Sequence, residues 1–185
     1  MKKILLIIFL IMAIFQMVVL AADIDIGLEA FDRENGFSTN ITMISRDNPA
    51  NETGTITIVE IWADEEMGGC EVATFFSTNG VILTTRDSEV VDNGNGAGVV
   101  LAGSKQTFTV DIDVQAGDMI GLYCSSGKIS FDGSGSVGMY YQAGDKIPCE
   151  TTVFIAEAGY RLSLYGEGEL AAEEEANAIF FGTTF

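Results

Sequence analysis

Asp111 and Asp113 lie two apart in the run Thr107-Phe108-Thr109-Val110-Asp111-Ile112-Asp113-Val114, so in a strand their carboxyl groups share one face. Two carboxylates suffice for glycoside hydrolysis when they flank the scissile bond at about 5 Å or about 6.5–9.5 Å. The opposite face of this run is Phe108, Val110, Ile112 and Val114. An amphipathic strand with one buried side carries acidic residues at the same spacing for solubility alone. The expectation is therefore a solvated face, and a carboxylate-only glycosidase ranks third among the functions considered.

Composition removes most other chemistry. The chain has no His, which excludes Ser-His-Asp and Cys-His arrangements and His-based zinc sites. Cys70, Cys124 and Cys149 are too far apart for a local metal knuckle. Gly133-Ser134-Gly135-Ser136-Val137-Gly138 matches a dinucleotide fingerprint in form, but Met139-Tyr140-Tyr141 continues as strand where that motif needs a helix N-terminus. The loop reads as a hairpin turn. No enzyme activity and no cofactor are expected, apart from calcium as a candidate ion. Asp64-Glu65-Glu66, Asp92-Asn93-Gly94-Asn95 and Asp132-Gly133-Ser134 could offer oxygen ligands, with Asp64, Glu65, Asp92 and Asp132 as the named candidates. None of these segments matches an EF-hand, and Asx turns account for the same residues.

Aromatic side chains give the better route to binding, because a flat row of them on an open sheet face stacks on sugar rings. Tyr123 and Tyr165 fall opposite the inward sets Ile120, Leu122, Cys124 and Leu162, Leu164. With Trp62 they are the candidate ligand-binding residues, core packing being the competing role. Charge limits the partners. Lys and Arg number 9 against 27 Asp and Glu, so nucleic acid and anionic lipid are repelled, whereas calcium, cationic partners and neutral glycans remain compatible.

The elements that must position these residues read as strands. Period-two or apolar β-prone runs occur at 40–45, 55–63, 70–76, 81–85, 98–101, 107–114, 119–124, 128–131, 137–141, 152–156 and 160–165. Turn signals separate many of them: Asp47-Asn48-Pro49, Asn79-Gly80, Asp92-Asn93-Gly94, Asp132-Gly133 and Ala143-Gly144-Asp145. About ten short strands without a helix-length amphipathic stretch indicate an all-β antiparallel two-sheet sandwich, with a jelly roll favoured. In 55–63 the apolar residues change phase, so either both faces are covered there or a bulge sits near Ile58-Val59, the bulge being favoured.

Three regions follow. Residues 1–22 carry Lys2-Lys3, an apolar run broken only by Gln16, and Ala21-Ala22, which is the order of a secretory signal peptide. The run approaches bilayer-spanning length, but its small-residue exit and acidic sequel favour cleavage and a secreted product without a membrane association. Residues 23–168 form the sandwich domain, and 169–185 an acidic then apolar tail ending Ile179-Phe180-Phe181-Gly182-Thr183-Thr184-Phe185. Outside the cytoplasm three cysteines imply either one disulfide and a spare or three buried thiols. Cys124, inward with Ile120 and Leu122, is expected to stay unpaired, leaving a Cys70–Cys149 bridge.

Segments 48–54 (Asn48-Pro49-Ala50-Asn51-Glu52-Thr53-Gly54), 58–62, 103–108, Ala116-Gly117-Asp118-Met119-Ile120-Gly121 and Arg161-Leu162-Ser163-Leu164-Tyr165-Gly166 carry a resemblance. On them the chain resembles an uncharacterised group of environmental β-sandwich modules, across roughly 23–168. More loosely it is similar to carbohydrate-binding and adhesin-type jelly rolls, in which a Gly-Asp turn introduces a late strand. The resemblance implies the fold and an extracellular setting, and transfers no site residues. Two functions are then expected: a secreted module binding a glycan or other surface ligand, or a fibre or surface-layer subunit. The second would self-associate by strand addition through the tail, in head-to-tail contacts that propagate.

Overall fold

The computed structural model describes residues 24–171, so the expected signal peptide and the apolar stretch 179–185 lie outside the described residues. The described chain is all-β. Its strands are β1 (Ile24–Leu28), β2 (Asn35–Ser38), β3 (Ile41–Ser45), β4 (Gly54–Gly68), β5 (Glu71–Asn79), β6 (Ile82–Val90) and β7 (Lys105–Val114). They continue with β8 (Met119–Tyr123), β9 (Ser126–Asp132), β10 (Met139–Ala143), β11 (Thr152–Val153), β12 (Ile155–Glu157), β13 (Arg161–Leu162) and β14 (Leu164–Leu170). These fourteen exceed the ten or so expected because they include the short β1, which alternates as Ile24-Asp25-Ile26-Gly27-Leu28, and β2, and because two apolar runs each divide in two. The run at 98–101 makes one isolated bridge, Val100 with Met67, and β14 carries Glu169 and Leu170 into the ladder with β4.

Two antiparallel sheets result. The first follows β1-β14-β4-β9-β13, with β7 on β4 and β2 on β9; the second follows β11-β6-β5-β8-β3-β10-β12. Pairing is nested, first strand with last, β4 with β9 and β5 with β8, as in a ribbon rolled onto itself. Residues 133–138 join β9 of the first sheet to β10 of the second, so they are a crossing between sheets and not the expected hairpin turn. Their amides hold a carboxylate of the protein itself: Val137 and Gly138 donate to Asp47 at 3.0 and 3.3 Å.

The main core lies between the sheets and includes Ile24, Ile56, Ile61, Phe108, Ile112, Leu122 and Leu164. β7 follows its alternation throughout, with Phe108, Val110, Ile112 and Val114 buried and Thr107, Thr109, Asp111 and Asp113 exposed. The expected phase change in β4 is a register irregularity around Thr57, on both its flanks. It turns Ile56 inward before the break and Val59, Ile61 and Ala63 inward after it, leaving Ile58, Glu60 and Trp62 outside.

The second sheet has a core on its other face as well. β11 and β12 occupy opposite ends of the strand order yet are separated in sequence by Phe154 alone, so residues 152–157 span from β6 to β10 and close the sheet on itself. Inside the closure Phe154 meets Phe75 edge-on at 6.2 Å, among Ile44, Ala73, Leu83, Met119 and Ile147. This double covering explains why β3 and β8 are buried almost residue by residue instead of alternating.

The disulfide differs from expectation. Cys70 pairs with Cys124, and Cys149 is free. In the ladder Glu71 stands opposite Tyr123 and Val72 opposite Leu122, so Cys70 and Cys124 are the next opposed positions, with Cα atoms 4.1 Å apart. Cys124 is inward as expected, but its cross-strand neighbour is an inward cysteine too. Cys149 lies beside β6 instead, where its amide donates to Thr85 Oγ1 at 2.9 Å. Peptide mapping without reductant should recover the Cys70–Cys124 linkage, with Cys149 open to a maleimide. Replacing both bonded cysteines by Ser should cost about 2–4 kcal/mol in denaturant unfolding, whereas a Cys70–Cys149 linked peptide would refute the pairing.

Candidate functional site

The outward face of the first sheet collects two of the three candidate aromatics. Tyr165 on β14 stands opposite Glu60 on β4, and Trp62, two residues on, stands opposite Lys105 on β7. Trp62 and Tyr165 are therefore diagonal neighbours on adjacent strands, about 7–8 Å apart in backbone terms, within reach of one ligand. Both are half-buried. The Trp62 amide is fixed by the Ser163 carbonyl at 3.2 Å, and the Lys105 ammonium pairs with Glu60 at 2.8 Å between the strands. Hydrogen bonding to Glu60 raises the Lys105 pKa against the opposing effect of burial, with further contributions from the charges of Glu60, Glu29 and Glu167. The exposed hydroxyls of Thr107 and Thr109 continue the face along β7.

Along the same face, the irregularity at Thr57 opens a cleft of about 220 Å³ lined by Thr57, Ile58, Glu167, Gly168 and Glu169. Ile58 and Glu167 are direct partners, one alternation step from Glu60 and Tyr165. Aromatic faces, carboxylates, hydroxyls and a shallow cleft thus form one continuous surface. Sequence reasoning picked out Trp62 and Tyr165 but not Lys105, Glu167 or the cleft. Glu60 had a signal, since period two places it on the face of Trp62.

Tyr123 is not part of this surface. It lies on the second sheet, packed against the Phe75 and Phe154 core, with its hydroxyl donating to Asn40 Oδ1 at 3.1 Å. It is half-buried like the other two, but on a sheet that is covered on both faces.

The calcium candidates are dispersed. Asp64 and Glu65 lie on β4, not on a loop, and Glu65 pairs with Lys128 of β9. Asp92 caps its own turn by accepting the Gly94 amide at 2.8 Å. Asp132 is taken by Arg33 at 2.9 Å. Among the described residues no group of three or more His, Cys, Asp or Glu is placed to hold a metal ion. Asp111 and Asp113 sit at a corner between the sheets, where their amides donate to Glu89 at 2.7 Å and to Asp87 at 2.9 Å. Asp113 also lines a cleft of about 300 Å³ with Arg86, Thr53 and Ala171.

Arg33, invisible to sequence reasoning, holds the end of the first sheet together. Its side chain is wholly buried, donating to Ser163 Oγ at 2.8 Å, Asp132 at 2.9 Å and the Glu29 carbonyl at 2.9 Å, and it lies 4.0 Å from the Phe31 ring centre. Burial pushes the Asp132 carboxyl up, but hydrogen bonds from Arg33 and the Glu34 amide, with the charges of Arg33 and Arg161, hold it below its usual value of 3.8. A depressed carboxyl stabilises the fold above the unfolded pKa, and the contribution fades as pH falls through the folded value.

Asp132→Asn should therefore cost about 1.5–3 kcal/mol at neutral pH, as for a hydrogen bond to a charged group. The gap between variant and wild type, read as denaturation midpoints, should narrow below pH 3.8. A gap that widens in acid would contradict the role given to Arg33. No family model matches the chain, and no curated protein sequence is significantly similar to it.

Proposed function

We propose that the protein is a secreted, non-enzymatic recognition module that binds a glycan or comparable surface ligand on the outward face of its first sheet. The observation that carries this is the placement of Trp62 and Tyr165 on adjacent strands of an open face, beside Glu60, Lys105 and the Thr57 cleft. Stacking on a sugar ring uses the apolar faces of the two aromatics, while the neighbouring polar groups orient hydroxyls; such sites combine few, well-placed polar groups with aromatic area. The second sheet offers no equivalent, since residues 144–157 cover its other face.

Assembly by strand addition is the weaker reading, because two edge strands of the first sheet, β1 and β7, are occupied. On β1 the Asp25 amide donates to Asn51 Oδ1 at 3.0 Å and the Gly27 amide to the Asn48 carbonyl at 2.8 Å. On β7 the carboxylates of Glu89 and Asp87 take the corresponding amides. An edge whose donors are already paired is a poor template for another strand.

A glycan array probed with the secreted protein, followed by calorimetric titration of the strongest hit, tests the proposal. Trp62→Ala and Tyr165→Ala should each weaken binding roughly tenfold, about 1.4 kcal/mol, without loss of the folded state by circular dichroism. Tyr123→Ala should lower the melting temperature and leave affinity unchanged. Binding that survives both platform substitutions, or is lost only with Tyr123→Ala, would remove this face from consideration.

A further inference from the structure

The surface around Trp62 and Tyr165 is acidic in a specific way. Glu60 and Glu167 stand on the strands carrying the two aromatics, Glu169 joins Glu167 at the cleft, and Glu29 lies within electrostatic reach. The one ammonium set among them, that of Lys105, hydrogen-bonds to Glu60 and feels Glu29 and Glu167 as well. The protein has thus placed a primary ammonium of its own where carboxylates flank an aromatic face. Such a setting suits a ligand that joins a stackable ring to a positive charge, since cations over Trp or Tyr gain both quadrupole and carboxylate attraction. Anionic glycans meet the opposite field, and neutral ones gain nothing from it.

We propose that the platform binds a polysaccharide of amino sugars bearing protonated amines, with ring faces on Trp62 and Tyr165 and ammonium groups at Glu60 and Glu167. The proposal rests on the glycan-binding function given above and adds its chemical class. The Lys105 ammonium competes for the same carboxylates, so its removal strengthens binding. Glu167 carries no ion pair within the protein among the described residues and is free to meet the ligand.

The test uses the full secreted chain at mildly acidic pH with three probes: a glucosamine hexamer, its fully N-acetylated counterpart and a hexalysine peptide. The glucosamine hexamer should bind at least tenfold more tightly than the N-acetylated one and weaken severalfold as salt screens the contacts. Lys105→Ala should tighten the glucosamine hexamer severalfold relative to the N-acetylated one. Glu167→Gln should weaken the former more than the latter, and Trp62→Ala should weaken both roughly tenfold. Equal affinity for the two hexamers, or weaker glucosamine binding in Lys105→Ala, would overturn the amino-sugar class while leaving glycan binding intact. Failure of both hexamers would overturn both. Hexalysine binding as tightly as the glucosamine hexamer, with Trp62→Ala altering neither, would reduce the effect to attraction by the whole acidic surface and overturn the inference.

Discussion

A sheet presents a row of unpaired backbone groups at each edge, and the architecture of this chain follows from how those rows are disposed of. The second sheet removes its edges by closure: residues 152–157 pair with β6 at one end and β10 at the other, and Phe154 between them plugs the interior. The first sheet stays open but has donors of its edge strands β1 and β7 paired by the 48–51 segment and by carboxylates of β6. Closure also decides which surfaces exist. Once the second sheet is filled on both faces, the free broad face belongs to the first, and that is where Trp62 and Tyr165 lie.

The scarcity of basic residues sharpens this picture. Arg33, Arg86, Lys105 and Lys128 are each matched with a carboxylate, on Asp132, Asp118, Glu60 and Glu65. Two of these pairs are structural. Arg86 is the extra residue where β6 slips against β5, and it grips the buried Asp118, whose carboxylate also accepts the Gln115 amide at 2.8 Å. The Gly117-Asp118 turn is thereby fastened to the neighbouring strand, and Met119 enters β8 in register. Breaking such a pair would leave a charge without compensation in a place water reaches poorly.

Local pattern made much of this legible. β7 reads correctly residue by residue because one of its faces is core and the other solvent, the condition under which period two is informative. The phase change in β4 likewise announced its irregularity, though not the outward placement of Trp62. What stayed hidden depends on which strand lies beside which. Opposition of Cys70 and Cys124 needs the β5–β8 register, and covering of Tyr123 needs the closure at Phe154. Arg33 draws its side-chain partners from 99 and 130 positions away in Asp132 and Ser163. Most elements were visible alone, and their neighbours were not.

The pairing of β1 with β14 has a mechanical side. Ile24 stands opposite Gly168, so the first and last described strands are antiparallel neighbours whose outer ends lie together. Tension applied between those ends loads their hydrogen bonds one after another, as in opening a zipper, and not all at once in shear. Resistance to a pull would therefore be low at first and rise once the load reached the interior, where the 54-residue span between Cys70 and Cys124 is covalently closed and contributes no extension of its own.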